Sequence, residues 1–227
     1  MNLLVLGKGK TGGLVAEIAQ QRGHTVRALN SADNAGNKAL TRESLANFDV
    51  VIDFTTPHSV LENIATCVRH EANMVVGTTG WYDKIPQVRN LVEASGTGFV
   101  FGANFSIGVN IFFDVAKAVA PALNLGYTGH IVERHHVHKK DKPSGTAVAI
   151  NNVLESRSGK TLAIDSVREG DTVGDHGIVL QSQNDVFMLS HSALSRQGFA
   201  EGAVRAAEWI KGKGGFYDFR DVWRELK

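Results

Sequence analysis

The chain has 227 residues, 24 Lys and Arg against 23 Asp and Glu, and 43% hydrophobic residues. This is ordinary globular composition for one large domain or two small ones, and it lacks the basic excess of a typical nucleic-acid-binding domain. The lone Cys67 excludes an internal disulfide and any cysteine-based zinc site. No apolar run nears the ~20 residues of a membrane span, and residues 1–7 lack the basic start of a signal peptide. A cytoplasmic protein is therefore expected. Residues 2–6 read as a buried strand ending at Gly7. Residues 11–21 carry Leu14, Val15, Ile18 and Ala19 at helical spacing up to Gly23. Strands follow at 25–29, 50–54, 74–76 and 99–101, with helices from Pro57 through Val68 and over 86–94. Short apolar strands alternating with helices predict a parallel sheet covered on both faces. After about residue 105 the texture changes. A helix is expected at 109–122, a strand at 128–133, a charged loop, and a helix at 146–155. Strands at 164–168, 178–181 and 186–190 with short turns predict an antiparallel or mixed sheet, and 202–211 reads as a last helix.

The 24 glycines begin at the N-terminus, whereas six of the nine histidines fall within 130–191. Gly7-Lys8-Gly9-Lys10-Thr11-Gly12 fits G-x-G-x-x-G between a strand and a helix. In that pattern one glycine makes the turn, one lets backbone approach a pyrophosphate, and one lets helix and strand pack closely. Helix-start N–H groups then hold the phosphates. The plain alternative is a glycine-rich turn of any α/β domain. A Walker loop is excluded, since no G-K-[ST] follows Gly12, and Gly159-Lys160-Thr161 has Leu154 where its first glycine belongs. At the tip of the second strand Asn30-Ser31 replaces the acid that usually binds a ribose 2′-hydroxyl. A 2′-phosphate is tolerated there, with Lys38 the nearest downstream cation, so NADPH is favoured and NADH admitted. The alternative is that Asp33 binds the ribose. Three loops follow strand ends, where parallel sheets bind ligands: Asp53-Phe54-Thr55-Thr56-Pro57, Gly77-Thr78-Thr79-Gly80 and Gly102-Ala103-Asn104-Phe105-Ser106.

The densest chemistry is Glu133-Arg134-His135-His136-Val137-His138-Lys139-Lys140-Asp141-Lys142-Pro143-Ser144-Gly145-Thr146. A helix start with a glycine and two hydroxyl residues, beside several cations, suits a small polyanion. A His or Lys there is available to move a proton. The alternatives are an ordinary solvated loop or a metal site at His135, His136 and His138. Adjacent strand residues point to opposite faces, and no carboxylate stands at a familiar ligand spacing, so no metal is expected. His176 and His191 read as structural.

At these residues the chain resembles the dihydrodipicolinate reductase family nearly end to end. The resemblance rests on the first glycine loop, Asp53-Phe54-Thr55, Gly77-Thr78-Thr79-Gly80, and Asn104-Phe105-Ser106-Ile107-Gly108-Val109-Asn110. Above all it rests on Glu133-x-His135-His136-x-x-Lys139-x-Asp141-x-Pro143-Ser144-Gly145-Thr146. Gly174-Asp175-His176 and Ser195-Arg196 also look like the family's later segments. It implies an α/β fold: a Rossmann-like dinucleotide-binding domain at 1–105, an α+β substrate and tetramerisation domain with a mixed sheet at 106–195, and a segment at 196–227 returning to the first domain. It implies hydride transfer from NADH or NADPH to a cyclic dicarboxylate on the diaminopimelate route to lysine, in a cytoplasmic homotetramer.

On that reading Gly7, Lys8, Gly9, Lys10, Thr11 and Gly12 hold the pyrophosphate, with Asn30, Ser31 and Phe54 also lining the cofactor site. Gly77, Thr78, Thr79, Gly102, Ala103, Asn104 and Phe105 border the nicotinamide ribose. His135 exchanges a proton, and Lys139 donates one and stabilises charge. His136, Lys139, Ser144, Gly145 and Thr146 hold the carboxylates. Gly102-Ala103 stands where relatives often have Ala-Pro, and Lys142 where many have Ala. The competing expectations are another two-domain nicotinamide dehydrogenase with an acidic substrate, or a non-catalytic dinucleotide sensor.

Overall fold

The computed structural model describes residues 1–227, which divide into two compact units: Met1–Ile107 with Gln197–Lys227, and Gly108–Arg196. In the first unit the strands are β1 (Asn2–Leu6), β2 (Thr25–Leu29), β3 (Val50–Asp53), β4 (Met74–Val76), β5 (Gly98–Phe101) and β10 (Gly215–Asp218). All pairs are parallel, in the order β10-β5-β4-β3-β1-β2. β3, β4 and β5 are buried at every residue, as befits central strands with helices on both faces. The pleat divides β1 between two cores. Leu3 and Val5 face helices α1 (Lys10–Gln21) and α7 (Gln197–Ile210), while Leu4 and Leu6 face α3 (Val60–Arg69) and α4 (Ile85–Ser95). A four-residue helix, α2 (Arg42–Leu45), precedes β3.

Three local readings of the sequence need correction in this unit. α7 starts at Gln197 rather than 202, because glycines in its first turns lower local helix propensity and conceal it. Gly202 is there for packing: a Cβ on it would lie 1.8 Å from the Phe105 carbonyl oxygen. Strand β10 and the short helix α8 (Phe219–Val222) were not foreseen. β10 is four residues long and follows a glycine-rich approach, yet it extends the sheet beside β5.

The second unit contains α5 (Ile107–Val119, which starts at its boundary), β6 (Thr128–His135), α6 (Gly145–Ser158), β7 (Ala163–Arg168), β8 (Asp175–Gln181) and β9 (Val186–Ser192). Its sheet runs β7-β6-β8-β9 and is mixed: β6 pairs parallel with β7 and antiparallel with β8. Parallel pairing requires a crossover, which α6 supplies. One sheet face, with Ile131, Ile164, Ile178 and Leu189, packs into a core with Phe112, Phe113 and Ile150 from the helices. The stretch Ile107–Leu125, 19 residues of hydropathy 1.2, is long and apolar enough by composition to cross a membrane. Here Val109, Phe112, Phe113, Ala116, Ala120 and Leu123 spend that apolarity in the core.

Candidate active site

The first loop fits a dinucleotide on structural grounds. Gly7 has φ +100°, and a Cβ there would meet the Phe54 carbonyl oxygen at 2.2 Å. A Cβ on Gly12 would meet the Gly7 carbonyl oxygen at 2.0 Å. Neither position admits a side chain, and the two close approaches seat α1 against β1 and β3. Gly9, the N-cap of α1, differs: a Cβ there would meet nothing within 4 Å, so its bare backbone faces open space. No side chain caps this helix and no acid sits in its first turn. Its leading N–H groups are thus left for an anion, flanked by Lys8 and Lys10.

Two cavities open on this loop. One, of about 550 Å³, is lined by Gly7, Lys8, Gly9, Asn30, Ser31 and Phe54 among others. The second, of about 310 Å³, is lined by Lys10, Thr11, Gly12, Gly77, Thr78 and Thr79, again with Gly9 and Phe54. Buried Asp53 ties the loops together. Its carboxylate accepts from Thr55 N–H (3.0 Å), Thr55 Oγ1 (2.7 Å), Thr78 Oγ1 (2.7 Å) and Asn63 Nδ2 (2.8 Å). Burial pushes its pKa up, against those four donors. Gly102, Ala103, Asn104 and Phe105 line neither cavity. Phe105 is 2% exposed and packs against the Phe219 ring at a tilt, with centroids 4.6 Å apart, so its side chain belongs to the core.

The tip of β2 holds an arrangement that sequence alone did not reveal. Asn30 Oδ1 accepts from Asp33 N–H at 2.9 Å, and Asn30 N–H donates to Asp33 Oδ2 at 3.0 Å. This reciprocal turn brings the Asp33 carboxylate back to the strand end. There Lys8 Nζ reaches it at 3.4 Å. The Asn30 N–H bond, then Lys8 and Lys38, hold its pKa down.

In the second unit β6 continues through His135 rather than stopping at Glu133. Residues 130–135 pair with 163–168 of β7, which orders a segment that charge density suggested was loop. The two-residue period puts Ile131, Glu133 and His135 on the buried face. Glu133 is 0% exposed. Its Oε2 accepts from His135 Nδ1, and Arg168 grips both its oxygens: Nη1 to Oε2 at 3.1 Å and Nη2 to Oε1 at 2.9 Å. Burial raises the Glu133 pKa, but bonds from Arg168, Ser166 and His135 outweigh it and hold the group at about 2. The His135 pKa is lowered, first by burial and then by Lys139 and Arg168, against the pull of Glu133. With Glu133 on Nδ1, the other ring nitrogen points toward Gly174, where a Cβ would crowd it at 2.9 Å.

Ser144 caps α6. Its Oγ accepts from Ala147 N–H at 3.2 Å, which leaves the hydroxyl proton for His176 Nε2 at 3.2 Å. His176 is 6% exposed, packs edge-on to His135 with centroids 5.1 Å apart, and is pushed down to about 4 by burial and the His135 charge. Gly145 and Thr146 open α6. A Cβ on Gly145 would meet nothing within 4 Å. Lys139 Nζ donates to Asp141 Oδ1 at 2.8 Å, so Lys139 stands near the same helix start. The His136 ring packs toward His138 at 6.2 Å, and its backbone N–H is tied to the Thr172 carbonyl. Sequence reading missed Arg168 and discounted His176. Both lie on other strands, 33 and 41 positions from His135, and only the strand register brings them in.

The chain is similar to known proteins along its whole length. Residues 1–105 match a family model described as dihydrodipicolinate reductase, N-terminus, and residues 108–223 match the corresponding C-terminus. A protein of Christiangramia forsetii named 4-hydroxy-tetrahydrodipicolinate reductase is 34% identical over 240 residues, covering 100% of this chain and 99% of its own. A protein of the same name from Neisseria meningitidis serogroup A is 40% identical over 198 residues, covering 78% of this chain and 73% of its own. Among solved structures, a dipicolinate-bound dihydrodipicolinate reductase from Paenisporosarcina sp. TG-14 superposes with a TM-score of 0.80 at 22% identity. It covers 98% of this chain and 99% of that one.

Proposed function

This chain belongs to the dihydrodipicolinate reductase family, nicotinamide-dependent oxidoreductases of lysine biosynthesis, and from that premise we propose that it reduces 4-hydroxy-tetrahydrodipicolinate to tetrahydrodipicolinate with NADPH or NADH in the cytoplasm. One observation carries the assignment of roles: a buried Glu133–His135 pair stands on the strand that leads to Lys139 and the start of α6. The reaction takes up a hydride and a proton and releases water. The bound nicotinamide supplies the hydride. Gly7 to Gly12 hold the pyrophosphate by backbone and by Lys8 and Lys10. Gly77, Thr78 and Thr79 border the neighbouring ribose, as do the backbones of Gly102, Ala103, Asn104 and Phe105. Asn30 and Ser31 face the adenosine ribose, with Phe54 between the two cavities.

His136, Lys139, Ser144, Gly145 and Thr146 hold the two carboxylates, through cations and the N–H groups that open α6. His135 exchanges a proton at Nε2 while Glu133 secures Nδ1. Lys139 donates a proton and stabilises developing negative charge. We read the cofactor preference as NADPH ahead of NADH, because Lys8 and Lys38 both act on Asp33 at the ribose and can turn to a 2′-phosphate.

The test follows NAD(P)H absorbance with substrate made in situ from pyruvate and aspartate semialdehyde. Substrate-dependent oxidation is expected, and its absence with both cofactors sinks the reading. His135→Gln is expected to lower kcat roughly 100-fold with dinucleotide affinity unchanged. Turnover near wild type removes His135 from proton transfer. A sensor would bind dinucleotide and oxidise none.

The second sheet also supports a homotetramer. Its helix-free face exposes Val167 (39%), Val186 (55%) and Met188 (72%), with half-buried Val179 among them. An apolar sheet face of this kind suits burial against other copies. Sedimentation velocity should give the mass of four chains, and a monomer at micromolar concentration refutes the assembly.

A further inference from the structure

Arg168 stands opposite His135 in the parallel register of β6 and β7, which points both side chains to one face. Its two terminal nitrogens are fully committed. Nη1 donates to Glu133 Oε2 and to the Val167 carbonyl at 2.7 Å, and Nη2 donates to Glu133 Oε1 and to the Asp141 carbonyl at 2.5 Å. One guanidinium therefore joins the carboxylate behind His135 to the loop that carries Lys139. We propose that Arg168 is the positioning residue of this site: its fork on Glu133 keeps the His135 proton on Nδ1 and Nε2 available, and its bond to Asp141 sets the Lys139 loop. The proposal rests on the reductase reading.

The argument is one of protons. A carboxylate buried without its cation takes up a proton. Protonated Glu133 would donate to Nδ1 instead of accepting from it. The His135 proton would then move to Nε2, and the ring would offer a donor where a lone pair stood. Stability alone does not explain the pair, since well-packed apolar residues serve a buried site as well or better. Arg168 Nε is moreover buried without a partner, a cost that function can justify. The groups facing His135 are Glu133 on its own strand, Arg168 on β7, His176 on β8 with His191 beyond it on β9, and Lys139 with Asp141 on the loop. Arg168 and Lys139 lower the His135 pKa while Glu133 raises it, so loss of Arg168 together with the charge on Glu133 has opposed effects on the titration, and the tautomer is the readout that separates them.

The test reads His135 directly, by imidazole nitrogen NMR of the whole ligand-free protein beside the pH profile of kcat. Wild type should show the Nδ1–H tautomer. Arg168→Met should populate the Nε2–H tautomer and cut kcat roughly 100-fold. Arg168→Lys keeps the charge and loses the fork, and should fall between. Should the Met variant fail to fold, the Lys variant alone decides. An unchanged tautomer in a folded variant overturns the proposal even if activity falls, since a structural role would leave it in place. The NMR needs no substrate, so an inactive wild type would refute the reductase reading while the tautomer still judged Arg168.

Discussion

The two units build binding sites from different materials. The first uses backbone: glycines at close approach, an uncapped helix start, and hydroxyls gathered on buried Asp53. The second uses ionised side chains: Glu133 clamped by Arg168, with His135 and His176 held neutral by burial. A backbone site is fixed first by volume. A side-chain site is fixed first by where protons sit, and by volume at close approaches such as Gly174 against the His135 ring. Matched perturbations should therefore hurt one unit and spare the other.

Added volume gives the largest contrast. Gly12→Ala puts a Cβ 2.0 Å from a carbonyl oxygen that cannot move without shifting the turn. It should cost at least about 3 kcal/mol of stability and abolish dinucleotide binding, read by thermal melting and by cofactor fluorescence. Gly145→Ala places the same methyl in open space at the start of α6. Stability should hold within about 0.5 kcal/mol, while KM for the dicarboxylate rises and cofactor affinity stays. If both variants melt alike, the contrast is broken.

Acid is the complementary probe. His176 titrates at about 4 in the fold against an ordinary 6.5. Between those values the unfolded chain takes up a proton that the folded chain refuses. Stability should thus fall as pH drops from 6.5 to 4, by about 3 kcal/mol from this group. Glu133, held at about 2 rather than 4.5, adds a loss between 4.5 and 2 as its native bonds are protonated away. Urea midpoints against pH measure the slope. His176→Gln should flatten it between 6.5 and 4, incompletely, because burial also lowers His135 and His191. An unaltered slope removes His176 from the account.

The same contrast explains what was legible in the sequence. Strand and helix order, the glycine turn and the charged motif are local signals: a periodicity, a breaker, a run of residue types. That one glycine of the first loop turns the chain, one bares its backbone and one packs could be expected from the pattern alone, because backbone geometry travels with the residue. The partnership of Glu133 with Arg168 could not. It spans 35 positions and depends on parallel register, which no local pattern encodes. His136 next to His135 looked as central as His135, yet only His135 falls on the carboxylate's face of β6. The early start of α7 was hidden for the opposite reason: Gly202 fits a tertiary contact at the expense of local propensity.

The smallest expected effect bears on the one place where the first unit departs from its own rule. The tip of β2 carries an ion pair, Lys8 with Asp33, at half-exposed positions where such pairs contribute little. Asp33 as ribose ligand would favour NADH, and Lys8 with Lys38 would favour NADPH. Because the Asn30 turn already holds the carboxylate in place, removing it subtracts one acceptor without reshaping the loop greatly. Asp33→Ala should therefore lower kcat/KM for NADH by up to about tenfold, the scale of losing a single hydrogen bond. It should leave NADPH equal or improved as both lysines are released. Lys8→Ala should move the ratio the other way, more steeply at low salt, where a phosphate contact counts most. Should the two substitutions shift the ratio in the same direction, the pair is no selectivity element, and the wild-type preference must then come from Ser31 and the cavity wall beyond it.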